Sequence, residues 1–203
     1  MPVRAIAFDC FGTLVRITAP VKPFAQLIRH APLMERREAA TAVMTHRWSL
    51  QDTAKALNIL VTSSVLIQLE ASLTRELASV ECFPETLEVL VELRRRGYTL
   101  ALCSNLAQPY AEPVTRLLGH LVDATVWSFA EGFVKPDRRI YEVVSERLAL
   151  PPEQVLMVGD TKLDDCIGAR DAGLQAIHLT RLAPPSGRMD GSIANLRQLL
   201  FLV

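Results

Sequence analysis

Asp9, Ser104 with Asn105, Lys135, Asp160 and the pair Asp164-Asp165 are residues of this chain whose types could do chemistry together. Asp9, Ser104-Asn105 and Asp160 each stand where an apolar run gives way to a polar turn. Lys135 lies in a loop closed by Pro136, and Asp164-Asp165 open a segment with helical spacing. Gathered at one place they amount to four carboxylates, one ammonium and two neutral donors. Carboxylates that close raise one another's pKa unless a cation joins them, and hard oxygen ligands with room for water suit Mg2+. A phosphate beside the ion would engage the ammonium and the neutral donors. The chemistry expected of the set is therefore metal-assisted reaction at a phosphate.

An open parallel sheet can bring these residues together, because its ligands gather outside the carboxyl ends of the strands. Val3 to Phe8 reads as a buried parallel strand that delivers Asp9 into the Phe11-Gly12-Thr13 turn. Further strands are expected over 98–103, 125–128, 155–158 and 176–179. Helices are expected from Pro84 to the Arg94-Arg95-Arg96-Gly97 stop and over 110–118, 137–149, 163–172 and 192–200. That alternation specifies right-handed crossovers with helices on both faces of the sheet. Between 20 and 80 the texture changes to helical spacing, as in Leu66, Leu69, Leu73 and Leu77 behind a cap at Ser63 or Ser64. The fold class is thus α/β, a doubly wound, Rossmann-like parallel sheet over 1–17 and 82–203 with a helical domain over 18–81 inserted after the first strand. The tract Ala183-Pro184-Pro185-Ser186-Gly187 reads as a loop.

Composition removes other classes of function. Twenty-two basic residues balance 22 acidic ones, so no field gathers nucleic acid or an anionic membrane surface. No run approaches the roughly 20 apolar residues of a membrane span. Cys10, Cys82, Cys103 and Cys166 form no CxxC pair, and Asp9 interrupts the first apolar run before it could serve as an export signal. A reduced, cytoplasmic protein acting on a small molecule is the expectation. Cys10 and Cys103 are read as small core residues, and His178, in an apolar strand, as a core histidine.

Four segments now carry a resemblance. Asp9-Cys10-Phe11-Gly12-Thr13-Leu14, Leu102-Cys103-Ser104-Asn105, Val134-Lys135-Pro136-Asp137 and the run Val158 to Ala169 resemble, in order, the motifs of the haloacid dehalogenase-like hydrolase superfamily. The helical insert is similar to that superfamily's cap, which closes over the site. The resemblance implies that Asp9 is a nucleophile forming an aspartyl-phosphate that water breaks. It implies that Thr13 and Ser104 hydrogen-bond the transferring group, that Asn105 helps orient it, and that Lys135 neutralises nucleophile and phosphoryl oxygens. Phe11, with Ser104 and Asn105, would border the substrate. Asp9, Asp160 and the Phe11 carbonyl would hold Mg2+, supported by Asp165, or by Asp164 in its place.

Phe11 departs from the pattern, since the superfamily's usual phosphatases carry there a second aspartate that protonates the leaving alcohol. The aromatic ring and Ser104-Asn105 also look like the 2-haloacid dehalogenases, in which an aspartate attacks carbon without a metal. Asp160 stands against that alternative, because the dehalogenases lack an acid at its position. A third reading is a catalytically silent binding protein on the same fold. From the insert, His30 or His46 could supply the missing proton, and Arg36 and Arg37 could clamp an anionic substrate.

Overall fold

The structure, a computed structural model, describes residues 2–32, 35–181 and 192–203. The Pro-rich tract expected as a loop at 183–187 lies outside them. Among the described residues eight strands form: β1 (Ala5–Phe8), β2 (Val15–Ile17), β3 (Val80–Cys82), β4 (Thr99–Ser104), β5 (Ala124–Trp127), β6 (Val155–Gly159), β7 (Gln175–Leu179) and β8 (Ser192–Ile193). Six of them make one sheet in the order β5-β4-β1-β6-β7-β8, every neighbouring pair parallel.

Alternation along β1 decides how this sheet packs. Ile6 and Phe8 lie in one buried cluster with Leu90, Leu93, Leu100, Leu102, Leu156 and Val158, while Ala7 joins Ala101, Cys103, Ile140, Tyr141 and Met157 in another. Large residues therefore meet the helices of one face, and small ones admit the helices of the other close to the strand. Among the described residues the α-helices outside the insert are α5 (Thr86–Arg95), α6 (Ala111–Leu118), α7 (Ser128–Glu131), α8 (Arg138–Leu148) and α9 (Gly168–Asp171). From β1 the chain winds to β4 and β5 on one side, then returns to β6, β7 and β8 on the other. The winding reverses at β1, so Asp9 at its carboxyl end stands at the switch point where open α/β sheets bind ligands.

Among the described residues, four α-helices run between β2 and β3: α1 (Pro23–Ile28), α2 (Arg36–Thr45), α3 (Leu50–Ala56) and α4 (Ser63–Ala78). They bury a cluster of their own, with Phe24, Leu27, Val43, Leu50, Ile59 and Leu69 at its centre. α3 opens with a reciprocal cap between Ser49 and Asp52, whereas α4 is capped by Thr62 rather than by Ser63 or Ser64. β2 and β3 pair antiparallel, so both crossings between sheet and helices pass through one two-stranded ribbon.

Three expectations need correction. No α-helix spans 192–200: Ser192–Ile193 adds an edge strand to the sheet, and Leu196–Phe201 is a 3-10 helix capped by Asn195. The helix expected at 163–172 starts as a π turn, Lys162–Ile167, before α9 continues it. Ser128 does not end a strand but starts α7, and its hydroxyl accepts from the Leu106 N–H at 3.0 Å.

Candidate active site

The proposed site residues come from the carboxyl ends of β1, β4 and β6 and from the loop and π turn beside them. Asp9 follows β1 and is tied to β6 through its own N–H, which donates to the Val158 carbonyl at 2.9 Å. Ser104 closes β4 and donates its hydroxyl to Asp9 Oδ1 at 2.9 Å. Lys135 arrives from the loop after α7 and is 4% exposed. Its ammonium donates to Asp9 Oδ1 at 2.9 Å, to Asp165 Oδ1 at 2.6 Å and to the Cys103 carbonyl at 2.9 Å, which uses all three protons. Asp9 Oδ1 is thus held twice, while Oδ2 has no hydrogen bond among the described residues.

Asn105 holds Lys135. Its Nδ2 donates to the Lys135 carbonyl at 2.9 Å and its Oδ1 accepts from the Lys135 N–H at 2.8 Å. This amide, expected to help orient the transferring group, fixes the backbone of the residue that carries the ammonium.

Asp9, Asp160 and Asp165 each offer an oxygen within 4.8 Å of the others. The π turn brings Asp165 inward, where it is 1% exposed and its Oδ2 accepts from the Thr161 N–H at 2.9 Å. Asp164 is partly exposed, and its backbone carbonyl accepts from the Tyr141 hydroxyl. Of the two motif acids, Asp165 therefore belongs to the trio.

Three carboxylates against one ammonium leave the cluster two charges negative, which a divalent cation would balance. Asp160 is exposed, yet partial desolvation raises its pKa, with the Asp9 charge adding to it. Burial also pushes Asp165 up to about 6 against the pull of Lys135. Burial opposes the Lys135 charge, yet Asp9 and Asp165 outweigh it and hold its pKa well above the usual lysine range.

Two further observations fit an ion with a phosphate. Among the described residues the buried Thr13 hydroxyl has no hydrogen-bond partner. In the turn after β1, the Cys10 carbonyl accepts from Thr13, Leu14 and Val15, and those of Gly12, Thr13 and Leu14 are also engaged. Among the described residues the Phe11 carbonyl accepts nothing.

Gly12 is required twice over. Its φ is +87°, and a Cβ there would stand 2.2 Å from Asp160 Oδ2. Gly12→Ala is expected to cost about 1–2 kcal/mol for the left-handed backbone alone. It should also displace the Asp160 carboxylate, so denaturant melts of the variant should show a larger loss than that; a loss no larger would contradict the close approach.

Cys10 and Cys103 are fully buried, as expected of core residues, and burial raises both thiols, Cys103 to about 12. Neither is a reactive thiolate. The histidine reading is corrected at His178, which is half-buried and contacts the Asp160 carbonyl through Nε2 at 2.9 Å. His30 and His46 are exposed, and the His46 ring stacks on Trp48 and reaches the Ala42 carbonyl. The Arg36 guanidinium donates to the Ala31 and Arg29 carbonyls, which ties it to the preceding turn. Sequence reasoning did not single out Arg181, which grips the turn after β1, or Tyr110, whose ring meets Phe11 edge-on at 5.8 Å.

A family model described as haloacid dehalogenase-like hydrolase matches residues 3–173. The chain belongs to that family. A glyceraldehyde 3-phosphate phosphatase of Methanothermobacter thermautotrophicus is 38% identical to this hydrolase over 97 residues, 47% of the chain and 43% of the relative. The chain thus spans less than half the length of that curated relative. An (S)-2-haloacid dehalogenase of a Pseudomonas species is 26% identical over 91% of the chain and 87% of its own length. Among solved structures, a phosphatase of the family from Thermococcus onnurineus superposes with TM-score 0.67 at 21% identity, covering 98% of this chain and 97% of that one. No helix of the described residues is long and apolar enough to cross a membrane.

The raised carboxyls give the hydrolase a pH signature. A carboxyl whose folded pKa lies above its unfolded value favours the folded state while protonated, and loses that contribution as pH rises through the folded value. With divalent ions chelated, Asp165 should therefore withdraw stability between about pH 4 and its folded value near 6. Added Mg2+ should raise the melting temperature more at pH 7.5 than at pH 5, as calorimetry in chelator and in Mg2+ would show. An equal increment at both would contradict a shared site for proton and metal.

Proposed function

We propose that this hydrolase is a Mg2+-dependent phosphatase of a small phosphorylated metabolite, working through an aspartyl-phosphate on Asp9. The observation that carries the reading is the divided carboxylate of Asp9. Lys135 and Ser104 hold one oxygen, the other is free to attack, and Asp160 and Asp165 stand within reach of one cation.

Mg2+ held by Asp9, Asp160, the Phe11 carbonyl and Asp165 would supply Lewis-acid neutralisation of the phosphoryl oxygens. The chain's own groups do the rest. An Asp9 carboxylate oxygen forms a bond to phosphorus as the bond from phosphorus to the leaving oxygen breaks. Lys135 lowers the negative charge that Asp9 and the incoming phosphoryl group would otherwise share, and Ser104 and the Thr13 hydroxyl donate to the phosphoryl oxygens. Water then attacks the aspartyl-phosphate and releases phosphate, which restores the Asp9 carboxylate. At Phe11 there is no proton to give, so the leaving group departs as an anion and draws its proton from water. Substrates with acidic leaving groups suit such a site.

In this reading residues 18–81 act as a cap over the carboxyl ends of the strands. Phe24 and Glu76 of the insert both meet Tyr110, the first ring to ring at 6.3 Å and the second as acceptor of the Tyr110 hydroxyl at 2.5 Å. Tyr110 in turn packs on Phe11, so the insert is in contact with the rim of the site. The ribbon of β2 and β3 would be the hinge that lets the cap exclude water. The reading places the protein in the cytoplasm, where its four cysteines would stay reduced. Nucleic acid and membrane have no part in it.

A second reading, a metal-independent 2-haloacid dehalogenase, is favoured by the aromatic side chain at Phe11 and by the length over which the Pseudomonas enzyme aligns. One assay separates the two. Phosphate release from para-nitrophenyl phosphate that needs Mg2+ and stops in chelator supports the phosphatase. Chloride release from (S)-2-chloropropionate in chelator, with no phosphatase activity, would replace it by the dehalogenase.

A further inference from the structure

Two positions beyond β7, the chain reaches across to the turn that follows β1. Arg181 Nε donates to the Gly12 carbonyl at 3.0 Å and Nη2 to the Thr13 carbonyl at 2.5 Å. Its Nη1 pairs with Glu85 Oε1 at 2.6 Å, the two side chains being 17% and 4% exposed. The guanidinium carbon lies 3.6 Å from the centroid of the Phe83 ring. All four partners of this one side chain flank the ribbon, Gly12 and Thr13 before β2, Phe83 and Glu85 after β3.

The carbonyls of the turn show what the grip achieves. The Cys10 carbonyl is filled by three N–H groups, and that of Leu14 by the Phe83 N–H at 3.0 Å and the Thr86 hydroxyl at 2.7 Å. Arg181 takes Gly12 and Thr13. With both neighbouring carbonyls fixed, the peptide planes on the carboxyl side of Phe11 cannot rotate freely, and the Phe11 carbonyl keeps one direction. Gly12 at φ +87° packs against Asp160, so rotation of this turn would also disturb that carboxylate.

We propose that Arg181 is a positioning residue for the divalent-cation site, holding the Gly12-Thr13 backbone so that the Phe11 carbonyl stays presented beside Asp9 and Asp160. The inference rests on the metal reading above. Lysine is no substitute, because a single ammonium lacks the planar fork that meets two carbonyls and an anion at fixed angles. Glu85 anchors the fork from the opposite side, and the Phe83 face stacks on it. His178, from the same strand end, contacts the Asp160 carbonyl, so β7 steadies both loops that bear the acids.

Calorimetric titration of Mg2+ into wild type, Arg181→Lys and Arg181→Ala tests this without any assay of turnover. Loss of an outer contact that orients a ligand typically costs about 10–100-fold in metal affinity. Weakening in that range is expected for Arg181→Ala, with Arg181→Lys also weakened, and methylguanidinium is expected to restore part of the loss in Arg181→Ala. For para-nitrophenyl phosphate at saturating Mg2+, kcat should fall more than KM rises.

A purely structural role would lower the melting temperature and leave the Mg2+ affinity of the folded protein unchanged, which overturns the proposal. Should Arg181→Ala not fold, Arg181→Lys decides, since it keeps the charge and loses only the fork. Wild type that binds no Mg2+ overturns the metal reading and this proposal together. Wild type that binds it no better than either variant overturns the proposal alone.

Discussion

Asp9→Asn is expected to retain no more than about a thousandth of the wild-type rate on para-nitrophenyl phosphate, since removal of a nucleophile that acts as part of a unit can cost up to about 10⁶-fold. An amide oxygen can still accept from Lys135 and Ser104, so the hydrogen bonds now made by Oδ1 survive. What disappears is the anionic oxygen that forms the bond to phosphorus. The same change removes one of three clustered negative charges, and the Asp9 charge helps to raise the pKa of Asp160 and Asp165. Repulsion in the ion-free protein therefore falls, and the melting temperature in chelator should stay level or rise while activity vanishes. That opposition excludes misfolding as the reason for lost turnover. Residual activity above about a hundredth of wild type would remove Asp9 as the nucleophile.

The acids and the sheet were legible for one physical reason. A parallel strand buried on both faces writes itself as an unbroken apolar run, and the first polar residue after it marks the carboxyl end. Val3 to Phe8 before Asp9 and Val155 to Val158 before Gly159-Asp160 are such cases, and the structure brings Asp9 and Asp160 together. Distinguishing Asp165 from Asp164 took the motif register, since both open the same turn and periodicity favours neither. The π turn that draws Asp165 inward has no signal of its own in composition.

Contacts between distant segments and backbone were not legible. Arg181 meets carbonyls about 170 positions earlier, and a carbonyl looks the same whichever residue bears it. Asn105 likewise bonds the backbone of Lys135, a partner that no side-chain pattern announces. β2 and β3 are three residues long, too short for alternation to register, and they form because both ends of the insert return to the same edge. Apolar neighbours in sequence make His178 look like a core residue, yet β7 lies next to the edge strand and leaves its ring half open beside Asp160.

Phe11→Asp should change which esters the enzyme can cleave. Para-nitrophenolate leaves without a proton, so the wild-type rate on that ester is not limited by a missing acid. An alkoxide is a far poorer leaving group and needs one. A correctly placed general acid is typically worth about 10²–10⁴-fold, and a gain in that range is expected for kcat/KM on an alkyl phosphate such as glycerol phosphate. The aryl ester should move much less, so the ratio of the two rates is the quantity to measure.

Two features make the substitution feasible. The Phe11 carbonyl belongs to the backbone and survives the change of side chain. The Phe11 ring is only partly buried, and its edge-on contact with Tyr110 is the ring packing it gives up. The new carboxyl would stand near Asp9 and Asp160, whose charges favour its protonated form, the form a general acid needs. The bell-shaped pH profile that a working acid produces should therefore appear for the alkyl ester in Phe11→Asp and be absent in wild type. If the alkyl-to-aryl ratio stays where wild type has it, Phe11 does not set the discrimination between the two esters, and the leaving group takes its proton from water or from the substrate.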